Sequence, residues 1–209
     1  MDSSVGPFTL DDVRRALRHR PPSLLPEPLP RRASVAIVLH EAASGVEALF
    51  IRRAVRAEDP WSGQVAFPGG RAEPGESRLE TAVRETVEEV GLDLAAAAET
   101  LGALDEIQAI GRSRPMGLSI QPWVFGLRGR PDPLRTSSEV ASVHWLRLAE
   151  LVDPSRVVPY RYVYQGTVVD LPSVRAESLV IWGLSYRMLQ SFADVVKGAA
   201  DPAPRRKGA

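Results

Sequence analysis

Glu85, Glu88 and Glu89 stand at i, i+3 and i+4 in the stretch RETVEEV. On a helix, residues so spaced share one turn of surface, and their carboxylates converge. Three like charges in that space repel, and nothing on that face is expected to neutralise them. A hard divalent cation, Mg²⁺ or Mn²⁺, relieves the crowding because it prefers carboxylate oxygen. The alternative is a solvated acidic face, the usual fate of a charge run. Gly69-Gly70 ahead of the acids and Pro74-Gly75 at the helix mouth weigh against it. They build a tight loop whose carbonyls can join a ligand set.

A helix beginning at Ser77 must present these acids. Leu79, Ala82, Val83, Thr86, Val87 and Val90 recur at spacings of three and four, one apolar stripe. Gly91 follows as a residue free to take positive φ and end the helix. From Gly70 the order is five residues, Glu76, seven residues, Arg84-Glu85, two residues, Glu88-Glu89, one residue, Gly91 and Leu92. This spacing resembles the Nudix box, with every charged and glycine position matched. Thr86 departs, standing where an aliphatic residue is usual. Its methyl can still pack, and its hydroxyl can bond a carbonyl one turn earlier.

The resemblance implies an α/β fold, a Nudix-type α/β/α sandwich with a mixed β-sheet, and a metal-dependent diphosphohydrolase. Divalent cations neutralise a diphosphate, orient its oxygens and acidify water. By the same resemblance Glu85, Glu89 and the carbonyl of Gly69 coordinate Mg²⁺ or Mn²⁺. Glu88 shares the metal or acts as base on the attacking water, and Glu76 pairs with Arg84 to brace the loop. A further carboxylate is expected from outside the box. Glu139 is favoured, because a loop before a strand can swing toward the metals; Asp105 and Glu106 are the other candidates.

The segment before the box is more specific. Leu49-Phe50-Ile51-Arg52-Arg53-Ala54 and Gly63-Gln64-Val65-Ala66-Phe67-Pro68-Gly69-Gly70 resemble the signature of the coenzyme A pyrophosphatase branch, as does Ile181-Trp182-Gly183-Leu184. The gap from Ala54 to Gly63 is one residue longer than that branch's pattern. Glu58 stands where its arginine is expected, with Arg56 two residues earlier. Arg52, Arg53, Arg56 and Gln64 are the expected substrate contacts, since a guanidinium fork suits phosphate. The implied substrate is a small nucleoside diphosphate derivative, with CoA or acyl-CoA first, cleaved to 3′,5′-ADP and a phosphopantetheine. ADP-ribose, dinucleotides and oxidised nucleotides are the alternatives. A ligand-sensing Nudix domain without turnover is disfavoured by the intact glutamates. Isopentenyl diphosphate isomerase shares the fold but relies on a cysteine, and this chain has none.

The whole chain sets bounds. Its 209 residues, 44% hydrophobic and 25% charged, suit one domain with appendages. Zero formal net charge gives no global field toward nucleic acid or a membrane surface. No apolar run is long enough to span a bilayer and no secretory pattern opens the chain, so a cytoplasmic monomer or homodimer is the expectation.

Residues 1–30 read as a short amphipathic helix capped by Thr9, then an arm with five prolines from Pro21 to Pro30. Residues 31–197 form the domain, and 198–209 a disordered tail. Strands are expected at Ser34–Glu41, Val46–Arg53, Gln64–Phe67, Thr100–Ile107, Ser119–Leu127 and Val143–Leu148. A short turn or helix at Ala149–Leu151 and a hairpin of Tyr160–Tyr164 with Thr167–Leu171 follow. Leu179–Val196 reads as a second long helix. His40 is expected to be structural.

Overall fold

The structure, a computed structural model, describes residues 9–57, 61–111, 114–129, 131, 133–164 and 166–200. The chain runs α1 (Leu10–Leu17), β1 (Arg31–Ala42), β2 (Gly45–Arg53), β3 (Val65–Ala66), β4 (Gly69–Arg71), α2 (Arg78–Val90) and α3 (Leu94–Ala97). It continues through β5 (Ala98–Ala103), β6 (Ile107–Gly111), β7 (Arg114–Leu127), β8 (Val140–Arg147), α4 (Leu148–Leu151), β9 (Val157–Tyr164), β10 (Thr167–Ala176), β11 (Leu179–Trp182) and α5 (Gly183–Ala200).

β1 organises the domain because it is buried without a break from Ala33 to Leu39. It lies parallel to β7 and antiparallel to β2 and β4, which makes the eight-stranded sheet mixed. Successive side chains alternate between faces. Val35, Ile37 and Leu39 enter one apolar cluster, and Ala36 and Val38 enter another. The second cluster takes Ala82 and Val90 of α2, whereas the first takes α1 and the buried face of α5. Helices therefore cover both faces, and the fold is an α/β/α sandwich. β9, β10 and β11 form a separate antiparallel sheet of three strands.

The N-terminal arm is tied down at a single turn. Asp105 accepts from the Ser23 N–H and from Arg20, and Glu106 accepts from the Leu25 N–H at 2.9 Å. Leu10, Val13, Ala16 and Leu17 of α1 are buried, so helix and arm belong to the packed domain. His40 meets Glu47 at 3.4 Å and the edge of Trp145, a structural setting as expected.

Several elements differ from the sequence expectation. Leu179–Val196 is not one helix: β11 occupies its start, and Gly183 at φ 63° turns the chain into α5, which runs to Ala200. Residues 201–209 of the expected tail lie outside the described residues. Thr100–Ile107 is broken at 104–106, where the turn holds the arm. Gly69-Gly70 is a strand edge paired with β1 rather than a free loop. β7 begins at Arg114, five residues ahead of the Ser119 start expected for that strand. Finally, Val87 is 43% exposed while Glu89 is buried, so the inward face of α2 is turned from the apolar stripe toward the acid.

Candidate active site

α2 holds its position through both ends. At its start the Ser77 hydroxyl accepts from the Glu80 N–H and the Glu80 carboxylate accepts from the Ser77 N–H, a capping box. At its end Gly91 takes φ 68°. Thr86 is buried and donates to the Ala82 carbonyl at 2.7 Å, the back-bond its sequence position allows.

β4 lies so close to Glu85 and to β1 that a side chain at either glycine would force a shift. A Cβ on Gly70 would fall 2.3 Å from a Glu85 carboxylate oxygen, and one on Gly69 would fall 2.3 Å from the Ser34 carbonyl. Gly69 also sits at φ 154°, which strains any other residue. Its N–H donates to Glu89 Oε2 at 2.9 Å.

The three glutamates occupy different environments. Glu89 is nearly enclosed, its side chain 5% exposed, and burial pushes its pKa up to about 7. The Gly69 N–H and the Arg53 guanidinium, 3.7 Å away, oppose that rise; the charges of Glu85 and Glu139 reinforce it. Glu85 is also raised by burial, with Arg84 pulling it back. Glu88 is 58% exposed at the rim. The cluster is not left unneutralised, contrary to the sequence expectation. Arg84 reaches Glu85 at 3.0 Å and Glu88 at 3.1 Å. It also donates to Glu76 at 2.8 Å and to the Arg71 carbonyl, which fixes the loop between Gly70 and α2 as anticipated. Among the described residues no three acidic or imidazole side chains gather around one point able to hold an ion.

The donor set nevertheless suits a hard cation. Glu85 and Glu89 are carboxylates held largely out of water, and burial outweighs the pull of Arg84 and Arg53 on them. Burial raises both, and a cation among their oxygens would offset that cost. The glycine edge leaves their oxygens directly beside backbone.

The outer candidates separate clearly. Glu139 bonds Arg56 at 2.8 Å, and its charge acts on Glu89, so both side chains stand at the rim. Asp105 and Glu106 are removed as candidates. They are committed to the arm, and Glu106 further pairs with Arg78 at the start of α2. Arg52 is exposed and takes no part in the pocket next to the acids, whereas Arg53 and Gln64 line it.

That pocket, of about 390 Å³, opens on the far side of β4 from α2 and shares Gly69, Gly70 and Arg53 with the acid site. Trp61 and Phe67 contribute from before the box, and Leu184, Ser185 and Met188 from α5. Of the α5 residues, Leu184 falls in the late stretch that resembles the coenzyme A branch; Ser185 and Met188 had no such sign, because they reach the site only through the fold.

The NUDIX domain model matches residues 30–165. An uncharacterized protein of Schizosaccharomyces pombe is 37% identical over 153 residues, 64% of this chain and 46% of that protein. A peroxisomal coenzyme A diphosphatase of Caenorhabditis elegans is 34% identical over 125 residues, 58% of this chain and 50% of the other. The chain thus spans about half the length of these two relatives. An uncharacterized Nudix hydrolase NudL of Yersinia enterocolitica is 34% identical over 65% of this chain and 67% of its own. In fold, the crystal structure of a MutT/nudix family protein from Enterococcus faecalis superposes with TM-score 0.52 and 19% identity, covering 86% of this chain and 66% of that one.

Proposed function

Because the chain belongs to the Nudix family, we propose that it is a divalent-metal-dependent diphosphohydrolase of nucleoside diphosphate derivatives, with CoA and its thioesters the preferred class. One observation carries this reading: Gly69, Gly70 and Arg53 belong at once to the acid site and to an organic-sized pocket. A diphosphate held at the acids therefore has a place for one of its substituents. The segment before the box and the C. elegans coenzyme A diphosphatase support the CoA class.

Glu85 and Glu89, with the Gly69 carbonyl, would hold Mg²⁺ or Mn²⁺. The bound cation supplies charge neutralisation and Lewis acidity at the diphosphate. Arg53 faces the diphosphate from the pocket side and spreads its negative charge over a guanidinium. Glu88, exposed at the rim, takes the proton of the attacking water on its carboxylate. Arg84 and Glu76 keep the loop and its acids in place. Arg56 and Glu139 restrain each other until substrate arrives.

A panel of CoA, acyl-CoAs, ADP-ribose, NADH, dinucleoside polyphosphates and oxidised dGTP tests this, with and without Mg²⁺ or Mn²⁺ and with products identified by mass. Metal-dependent release of 3′,5′-ADP and a phosphopantetheine is expected. Cleavage of another diphosphate but not of CoA overturns the substrate class, and no cleavage of any of them overturns the activity.

A further inference from the structure

We propose that the first two turns of α5 form a selectivity wall that admits the aliphatic side of the substrate and leaves the nucleoside side outside. This rests on the diphosphohydrolase reading and adds which half of the molecule enters the pocket.

The pocket's position fixes what can reach it. It lies across β4 from the glutamates and shares Gly69, Gly70 and Arg53 with them. A diphosphate bridging that edge directs one substituent inward and the other away. Volume alone does not decide which, since about 390 Å³ accepts an organic group of either kind.

The lining decides. Val35, Phe67, Leu118, Ile120, Leu184 and Met188 make its walls. Arg71 belongs to the glycine edge itself and Arg53 stands beside Glu89, at the diphosphate end, while Gln64 lies between Arg53 and the Val65 strand. Toward α5 the polar side chain is Ser185, whose hydroxyl already donates to the Val65 carbonyl at 2.9 Å. A purine brought in edge-first would surrender several hydrogen bonds to water and find few replacements, which is costly. A pantetheine arm carries as many polar groups, two amides and a hydroxyl, but spaces them along a flexible chain. That chain can lay its methyl and methylene groups on these walls and turn its amides toward the glycine edge and the pocket mouth. Trp61 offers a ring, but stacking satisfies a base's face and not its edge.

The wall is fixed. Ser185 pins the first turn of α5 to β3, Gly183 at φ 63° sets its direction, and Met188 is 3% exposed. These residues also lie beyond the matched family segment, residues 30–165. The wall is therefore shared: Val35, Phe67, Leu118 and Ile120 come from within the matched segment, and Leu184, Ser185 and Met188 from α5 beyond it.

Isothermal titration of the full chain with phosphopantetheine and with 3′,5′-ADP, in the presence of Mg²⁺, separates the two halves. Met188→Trp fills the pocket. It should weaken phosphopantetheine about tenfold and change 3′,5′-ADP by less than about twofold. Met188→Ala, which enlarges the pocket and is the safer variant for folding, should weaken phosphopantetheine several-fold with the same selectivity. Equal losses for both probes, a larger loss for 3′,5′-ADP, or no loss in either variant overturns the proposal. Failure of the underlying activity looks different: no diphosphate in the panel is cleaved, whatever the two probes bind.

Discussion

At the residue scale the site turns on oxygen atoms placed against a backbone with no side chains. Glu85→Gln and Glu89→Gln each remove a charged donor that burial already disfavours. Both variants should stay folded by circular dichroism, bind Mg²⁺ more weakly in calorimetry and lose about two orders of magnitude or more in turnover. Near-wild-type hydrolysis at saturating metal would remove these residues from the ligand set. Gly70→Ala tests the backbone side of the same contact. Its methyl must push the Glu85 carboxylate aside, so metal affinity should fall about tenfold or more although no ligand is changed. Arg53→Ala should raise KM for CoA more than it lowers kcat; an unchanged KM would place Arg53 with Glu89 alone. Much at this scale was legible. The pairing of Glu76 with Arg84 follows the motif, and Thr86 back-bonds as its position allows. The neutralisation of the acids by Arg84 was missed, although Arg84 and Glu88 stand four apart and their pairing is ordinary helix chemistry. What no spacing could show is that Glu89 is the acid driven inward.

At the element scale α2 is held by groups that titrate. The Arg84 hydrogen bond, helped by the Glu73 N–H and the Thr81 hydroxyl, holds Glu76 at about 2 against an ordinary 4.5. The folded value is the lower one, so the stabilisation is complete above about 4.5 and is lost as pH falls through about 2. The Glu76 side chain is 12% exposed, so screening by water is modest. The difference is worth roughly 2–3 kcal/mol. Urea melts of Glu76→Gln and wild type should therefore differ by about that much at pH 7 and converge between pH 4.5 and 2. A gap independent of pH would mean that the carboxylate charge is not what braces the loop. The ends of α2 were readable because capping chemistry is local. The junction of β11 and α5 was not. Leu179 to Trp182 is a short apolar run that fits either element, and period alone does not separate a buried strand from a buried helix. Gly183 was the available sign, a positive-φ turn read as a helix interior.

At the scale of the whole molecule, the layers were expected from the motif resemblance, and β1, buried from Ala33 to Leu39, shows why both faces of the sheet need cover. The pocket did not, because α5 joins Trp61 and Phe67 only when the sandwich closes. α1 is a full member of that closed structure. Leu10, Val13 and Leu17 are buried in the same cluster as Tyr186, Leu189 and Phe192 of α5. Burying side chains of this size contributes about 1.5–3 kcal/mol each, so deletion of residues 1–30 should cost on the order of 5 kcal/mol in a urea melt. A loss under about 1 kcal/mol would make the arm an accessory. The contact between α1 and α5 also has a consequence for biosynthesis. The ribosome releases α1 long before it has made the helix that shelters it, and such distant partners meet late. Until α5 is made, the apolar face of α1 has chiefly β1 and β5 to meet, so its burial is completed last.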